Sequence, residues 1–261
     1  MNAQNQLDLS TLKLKDKKNL KVEELVSCIQ EITNEKVSIE SKKCFLKALS
    51  EKGETDEEFA IFIREFRKLS VNPELEDFAS NAIDLCGTGG DKAHSFNIST
   101  FVSFMVASAG IPVIKHGNRS ISSKCGSADL METIGIQLMV DVSVHRRALE
   151  ALNFTFFFAP AFHPVFKAIM PARKALAAEG QKTIFNLLGP MINPAQPKHQ
   201  LMGVYSRSWI DPIAEAMDAL KLNGGMIVHG VPVPNSALDE LSCAGENYHR
   251  GFGNLSDHSG V

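Results

Sequence analysis

Ile83-Asp84-Leu85-Cys86-Gly87-Thr88-Gly89-Gly90-Asp91, continuing into Asn97-Ile98-Ser99-Thr100, is the stretch that decides the fold. A short apolar run of strand type breaks into a glycine-rich turn, and a helical pattern resumes over Ile98 to Ala109. About thirty residues on, the design repeats. Pro112-Val113-Ile114 reads as a strand, Lys115-His116-Gly117-Asn118-Arg119 as a second loop, and Ser122-Ser123-Lys124-Cys125-Gly126-Ser127-Ala128-Asp129 as the approach to another helix. Glycines let a backbone turn sharply and approach a ligand. The helix that follows presents unpaired N–H groups and the positive end of its dipole. Two such turns aim N–H groups and a lysine at one polyanion, so the pattern points to a binder of a phosphorylated small molecule.

Outward from this centre, residues Met1 to Asn19 read as a flexible polar lead-in, and Leu20 to about Ser80 as a small helical unit. Val22, Leu25, Val26 and Ile29 share one face, as do Phe59, Phe62, Ile63 and Phe66. Thr55-Asp56-Glu57-Glu58 is a capping box, and Gly53 closes the helix before it. On the other side, Asp129 to Ile134 and Val144 to Leu152 read as helices, and Phe154 to Phe158 as a buried strand. A helix around Phe162 to Ala178 leads to a loop holding Gly189-Pro190 and Asn193-Pro194. Leu201 to Tyr205 (strand), Pro212 to Leu220 (helix) and Gly225 to His229 (strand) follow, while Ser256 to Val261 shows no pattern. Strands alternating with helices predict a mostly parallel, covered sheet. Both glycine loops then fall beyond strand C-termini, where such sheets bind ligands.

The 261 residues can bury a full core in one or two domains. A net charge of -3 gives no basic field for nucleic acid. Five cysteines without C-x-x-C spacing fit a reducing compartment, and the N-terminus has no signal-peptide core. Phe101 to Ile114, the longest apolar stretch, is too short to span a bilayer and contains Gly110 and Pro112. A cytoplasmic protein with neither membrane nor nucleic acid as partner is expected.

The first loop matches neither G-x-x-x-x-G-K-[ST] nor G-x-G-x-x-G, so a P-loop or dinucleotide fold is not indicated. Taken alone it reads equally as a tight turn with Asn97 or Ser99 capping the helix. Lys115 leaving a strand end suits a phosphate, with Asn118 and Arg119 at the same rim. Asp239-Glu240 beyond the strand Ile227-Val228-His229 has the chemistry to hold Mg²⁺ against substrate phosphates, though in isolation the pair reads as a solvated loop or helix start. Arg173 offers a fork for a carboxylate, where spacing alone favours a helix-surface arginine. No Ser/His/Asp or Cys/His arrangement and no zinc-ligand spacing is present in the sequence.

Taken in order, Lys52-Gly53-Glu54-Thr55, both glycine loops, Gly126-Ser127-Ala128-Asp129, Thr183-Ile184-Phe185-Asn186-Leu187-Leu188-Gly189-Pro190 and Leu238-Asp239-Glu240 resemble the anthranilate phosphoribosyltransferase family, from about Leu20 to Leu255. The resemblance implies an α plus α/β enzyme of the nucleoside-phosphorylase-like type. Residues 20–80, with a contribution from about 180–198, would form the helical domain, and residues 81–261 the α/β domain. A homodimer through the helical domain is implied as well. Phosphoribose would pass from phosphoribosyl diphosphate to the amine of anthranilate, releasing diphosphate, in tryptophan biosynthesis. Gly87, Gly90, Asp91, Ser95, Asn97, Ser99, Thr100, Lys115, Ser123 and Ser127 fall where the family binds phosphoribosyl diphosphate. Ser99, Asp239 and Glu240 fall at its Mg²⁺ positions. Gly87, Asn118, His163 and Arg173 fall at its anthranilate positions. No covalent nucleophile or general base is implied.

The chain departs from the family pattern at Lys182, where arginine is usual, at Cys125 for serine and at Ala237 for glycine. The stretch from Arg173 to Thr183 is longer than usual, and the family normally continues well past the Asp-Glu pair with further elements of the α/β domain. A paralogue with another aromatic acceptor, a pyrimidine nucleoside phosphorylase, and a non-catalytic remnant that binds ligand or dimerises are the alternatives.

Overall fold

The structure is a computed structural model, and it describes residues 6–91, 93, 95–120 and 125–261. The chain begins with helices α1 (Gln6–Lys15), α2 (Val22–Ile32), α3 (Ile39–Lys52), α4 (Asp56–Lys68) and α5 (Glu76–Ala79). It continues through β1 (Ile83–Gly87), α6 (Ile98–Ser108), β2 (Val113–Gly117), α7 (Ser127–Thr133), α8 (Val142–Leu152) and β3 (Phe154–Phe158). Next come α9 (Ala159–Phe162), α10 (Phe166–Ala178), α11 (Phe185–Met191), β4 (His199–Gly203), a 3₁₀ turn at Arg207–Trp209 and α12 (Ile210–Ala219). β5 (Gly224–Val231), β6 (Glu246–Gly253) and β7 (Ser259–Gly260) complete it. No helix among the described residues is long and apolar enough to cross a membrane.

The helices stack because their apolar stripes meet. Phe45, Phe59, Phe62 and Phe66 are fully buried, and each such side chain is worth about 1.5–3 kcal/mol over an exposed one. The expected capping box forms: Glu58 N donates to Thr55 Oγ1 at 3.2 Å, and Thr55 N to Glu58 Oε2 at 3.0 Å. Gly53, with φ of 88°, ends α3. From the far side α10 packs on α3, and α11 and α12 pack on α4, so later segments complete the helical layer. Buried Lys42 adds a polar tie, donating to Asn34 O and Ala168 O at 2.8 Å each.

The sheet runs β3-β2-β1-β4-β5-β6-β7. β1 to β5 are parallel, as the alternation predicts, and β6 and β7 join antiparallel. The order reverses at β1, with β2 and β3 on one side and β4 and β5 on the other, so the switch point lies between β1 and β4.

Four expectations are corrected. The polar lead-in is partly α1, because Leu7 and Leu14 are buried against α3 despite the many charges around them. Gly189-Pro190 lies within α11, where buried Leu187, Leu188 and Met191 override the turn signal. The helix expected from Phe162 breaks at His163-Pro164 into α9 and α10. The patternless tail supplies β7, and the polar run Glu246–Gly253 is a strand because β5 templates it along its whole length.

Candidate active site

The first glycine loop leaves β1 at Gly87. Thr88 is clamped at both ends: its N–H donates to Gly203 O at 2.9 Å, and its hydroxyl accepts from Tyr205 N at 3.0 Å. Gly89 and Gly90 have φ of 65° and 80°, which glycine adopts without a side-chain clash. Gly87 needs its missing side chain for a different reason. A Cβ there would lie 2.5 Å from Asp239 Oδ2, and one on its register partner Gly203 would lie 1.6 Å from Asp239 O. The acidic step therefore sits directly on the ends of β1 and β4, at the switch point. A reciprocal pair of hydrogen bonds between Gly230 and Leu238, each 2.9 Å, holds it there.

Asp239 and Glu240 are thereby folded into the site, and the solvated-loop alternative does not hold. Asp239 Oδ2 accepts from Gly89 N at 2.6 Å, and Asp239 N donates to Asp91 Oδ2 at 3.4 Å. Glu240 Oε1 accepts from Ser99 N at 3.2 Å. Burial, then repulsion from Asp91, raises the Asp239 carboxyl to about 6. Burial, then repulsion from Asp239, raises Glu240 to about 7.

Lys115 is not at a strand end but inside β2, buried, with its Nζ donating to Leu85 O and, at 3.2 Å, to Ser99 Oγ. Burial lowers its pKa, opposed by the charges of Asp84 and Glu240. Asn97 occupies the cap position of α6 without a side-chain cap, and its amide instead reaches Cys125 Sγ at 3.7 Å. Thr100 is buried with an unpaired hydroxyl, and Ser95 is exposed in the loop. Ser127 begins α7, and its hydroxyl donates to Asn118 O at 3.4 Å. Ser123 lies outside the described residues, as do Ser122 and Lys124.

Arg119 is committed elsewhere. Its two terminal nitrogens pair with Glu132 at 2.7 and 2.8 Å, and one also reaches Asp129 at 3.2 Å. Asn118 is exposed, with its side-chain carbonyl accepting from Arg119 N at 2.7 Å, and no hydrogen bond among the described residues ties it to His163 or Arg173.

Of the remaining acceptor candidates, His163 and Arg173 pack against the same ring, that of Phe166. Arg173 lies on α10 with its guanidinium 5.7 Å from the centre of Phe166 and 5.2 Å from that of Phe185. Its Nη2 donates to Phe185 O at 3.3 Å. Burial alone lowers its pKa, with no carboxylate of the described residues opposing it. His163 packs edge-on against Phe166 at 5.7 Å and His116 at 5.1 Å. Burial first, and for His116 its neighbour His163 next, lowers these imidazoles to about 4 and about 3, so both are neutral at pH 7. A flat, apolar lining that ends in an unmatched guanidinium suits a small aromatic carboxylate. A separate cavity of about 200 Å³, lined by Arg67, Asn72 and Gln196, adjoins the segments leading into β1 and β4 and shares none of these residues.

Sequence reasoning missed Asp84, which is buried in β1 and accepts from His116 N at 3.3 Å and Asn193 Nδ2 at 2.9 Å. The same amide reaches Ile114 O at 2.8 Å, cross-linking the two strands that carry the loops. Burial raises the Asp84 carboxyl to about 6, opposed chiefly by Lys115. A charge inside an otherwise apolar strand was the available signal.

The chain is similar to known proteins over most of its length. Residues 79–250 match the glycosyl transferase family, a/b domain. An anthranilate phosphoribosyltransferase of Listeria monocytogenes serotype 4b (strain CLIP80459) is 40% identical over 97% of this chain and 72% of its own length. The crystal structure of anthranilate phosphoribosyltransferase from Thermus thermophilus superposes with a TM-score of 0.83 at 35% identity, covering 94% of this chain and 71% of that one. The Saccharomyces cerevisiae enzyme in complex with PRPP and Mg gives 0.70 at 26% identity, covering 94% and 66%. With the glycosyl transferase domain matched and this likeness running over nearly its whole length, the chain belongs to the anthranilate phosphoribosyltransferase family.

Proposed function

We propose that the chain transfers the phosphoribosyl group of phosphoribosyl diphosphate to the amine of anthranilate, giving N-(5-phosphoribosyl)anthranilate and diphosphate, in tryptophan biosynthesis. The observation that carries the reading is the convergence on Ser99. Its N–H meets Glu240 and its hydroxyl meets Lys115, so one residue joins the helix N-terminus, the acidic step and the buried ammonium.

Two adjacent carboxylates and a hydroxyl are hard oxygen donors of the kind Mg²⁺ takes together with substrate phosphates. Among the described residues no group of three or more His, Cys, Asp or Glu side chains forms a metal cage, which suits an ion shared with a substrate rather than held by protein alone. Asp239, Glu240 and Ser99 would hold it. When bound, Mg²⁺ supplies positive charge beside the diphosphate and eases its departure.

The chain's own groups account for the rest. Lys115 and the N–H groups of Gly89 and Ser99 are fixed donors where negative charge builds as the C1–O bond breaks and its electron pair leaves with diphosphate. Arg173 would bind the acceptor carboxylate, with Phe166, Phe185 and His163 flanking the ring, so the amine is aimed at C1. An aromatic amine attacks in its neutral form, its ordinary state near pH 7, so no general base is required to free its lone pair. The amine nitrogen bonds to C1, and its proton passes to solvent. No enzyme side chain is ribosylated.

Other parts of the reading rest on chemistry of their own. Exposed Leu9 and Leu12 of α1, Val22 and Ile39 give the helical layer an apolar surface on which a second copy would dock, making a cytoplasmic homodimer. ³¹P NMR tests the reaction. Diphosphate should appear only when phosphoribosyl diphosphate, anthranilate and Mg²⁺ are all present, and its release at the same rate without anthranilate would count against transfer.

A further inference from the structure

Asp239 and Glu240 do more than wait for a metal. Their carboxylates accept from Gly89 N and Ser99 N, two donors of the first glycine loop and of the α6 N-terminus. Ser99 is the second residue of α6, so its N–H has no partner within the helix. Gly89 belongs to the turn that would wrap a diphosphate. Both donors face an anionic ligand in the proposed function, and here both are satisfied by the protein's own carboxyl groups. To an ionised carboxylate such a bond is charge-assisted, among the stronger hydrogen bonds a backbone makes. The contact is also seated by design: Gly87 and Gly203 lack the side chains that would push Asp239 away, and the Gly230–Leu238 pair anchors the segment just before it.

We propose that the Asp239-Glu240 step is an intramolecular latch, which blocks the anion donors of the first glycine loop until a divalent cation draws the carboxylates off them. The inference rests on the proposed function and adds a direction to it. The same two side chains oppose diphosphate when no cation is present and favour it when one is. A step that served only as metal ligand would leave the Gly89 and Ser99 N–H groups open when no cation is present. The latch couples the two ligands, so that the bare anion is bound more weakly than it would be with the donors open, and the cation lifts that penalty.

Calorimetry with inorganic diphosphate on Asp239→Ala, Glu240→Ala and the conservative Glu240→Gln, with EDTA and then with Mg²⁺, tests this. In EDTA the two alanine variants should bind diphosphate about tenfold more tightly than the unsubstituted protein, since the anion no longer competes with a charge-assisted bond. Glu240→Gln, which keeps the side-chain shape, should gain less, and it guards against loss of fold in the alanine variants. In Mg²⁺ the order should invert, with all three binding more weakly. Amide hydrogen exchange supplies the readout that simple relief of repulsion would not move. In the unsubstituted protein with EDTA the Gly89 and Ser99 amides should be protected, and each should lose protection in the variant of its own partner. Unchanged or weaker diphosphate binding by the variants in EDTA overturns the latch, as does fast exchange of both amides in the unsubstituted protein. Absence of diphosphate binding to the unsubstituted protein in Mg²⁺ overturns the proposed function itself, and the latch with it.

Discussion

The two walls of the proposed site are built on opposite principles. On the diphosphate side, backbone donors and a buried lysine are tied to the protein's own carboxylates and carbonyls, so every one of these groups already has a partner. On the acceptor side, Arg173 sits between two aromatic rings and bonds a carbonyl at 3.3 Å and the Met170 sulfur at 3.9 Å, with no carboxylate of the described residues opposite it, and His163 is packed against rings with neither nitrogen forming a hydrogen bond of ordinary geometry. In the proposed function the first wall, whose ammonium and N–H groups are already paired, would exchange partners to bind. The other is shaped by packing and left unmatched in charge. Chemistry that expels a polyanion while holding a flat acid needs both kinds.

Breaking the diphosphate wall should cost most. Lys115→Met removes the buried ammonium and leaves Leu85 O and Ser99 Oγ without it. Steady-state kinetics should show kcat/KM lowered by about 10³-fold, the scale of losing a preorganised charge stabiliser. A loss confined to KM for anthranilate would place the lysine on the wrong wall.

The acceptor wall should respond more selectively. Arg173→Ala should raise KM for anthranilate by about 10²-fold, as expected for a charge-assisted pair, while calorimetric diphosphate affinity stays within about twofold. Equal losses in the two measurements would merge the walls into one.

Much of this was legible in the residues. The alternation of apolar runs and glycine turns predicted the parallel sheet and placed the first loop at a strand end, because βα turns carry local chemical signatures; the second loop starts later than expected, since Lys115-His116-Gly117 belongs to β2. Asp239-Glu240 was legible only as a pair. That Asp239 rests on Gly87 and Gly203 depends on β1 lying beside β4, a neighbourhood made by residues far apart in the chain. Arg119 was misleading for a more local reason: its partners Asp129 and Glu132 lie 10 and 13 residues on, in α7, and the loop before that helix turns them toward it. Strand β6 was missed because Glu246-Asn247-Tyr248-His249-Arg250 has no apolar alternation, its strand form being imposed by pairing with β5. In α1, two leucines outweigh a polar composition once α3 is there to cover them.

The smallest effect concerns stability away from both walls. His145 donates to or accepts from Thr155 Oγ1 at 2.9 Å, and burial lowers its imidazole to about 4. The unfolded chain protonates near 6.5 while the folded one does not, so this group's contribution is complete above that pH and is lost as pH falls toward 4. Buried Asp84, raised to about 6, acts in the opposite sense over much of the same window, so the histidine shows only by substitution. His145→Gln should lose about 2 kcal/mol less than the unsubstituted protein between pH 7 and pH 5 in urea titrations. An unchanged pH dependence would mean that the imidazole is not held neutral.

The central claim is that the two walls together join a phosphoribosyl group to an aromatic amine chosen by its carboxylate. Anthranilate fluorescence, followed on adding phosphoribosyl diphosphate and Mg²⁺ to the folded protein, tests it most directly when run beside aniline as the acceptor lacking the carboxylate. The account predicts that anthranilate is consumed while aniline is untouched. Persistence of anthranilate fluorescence, or consumption of aniline at a similar rate, would contradict it.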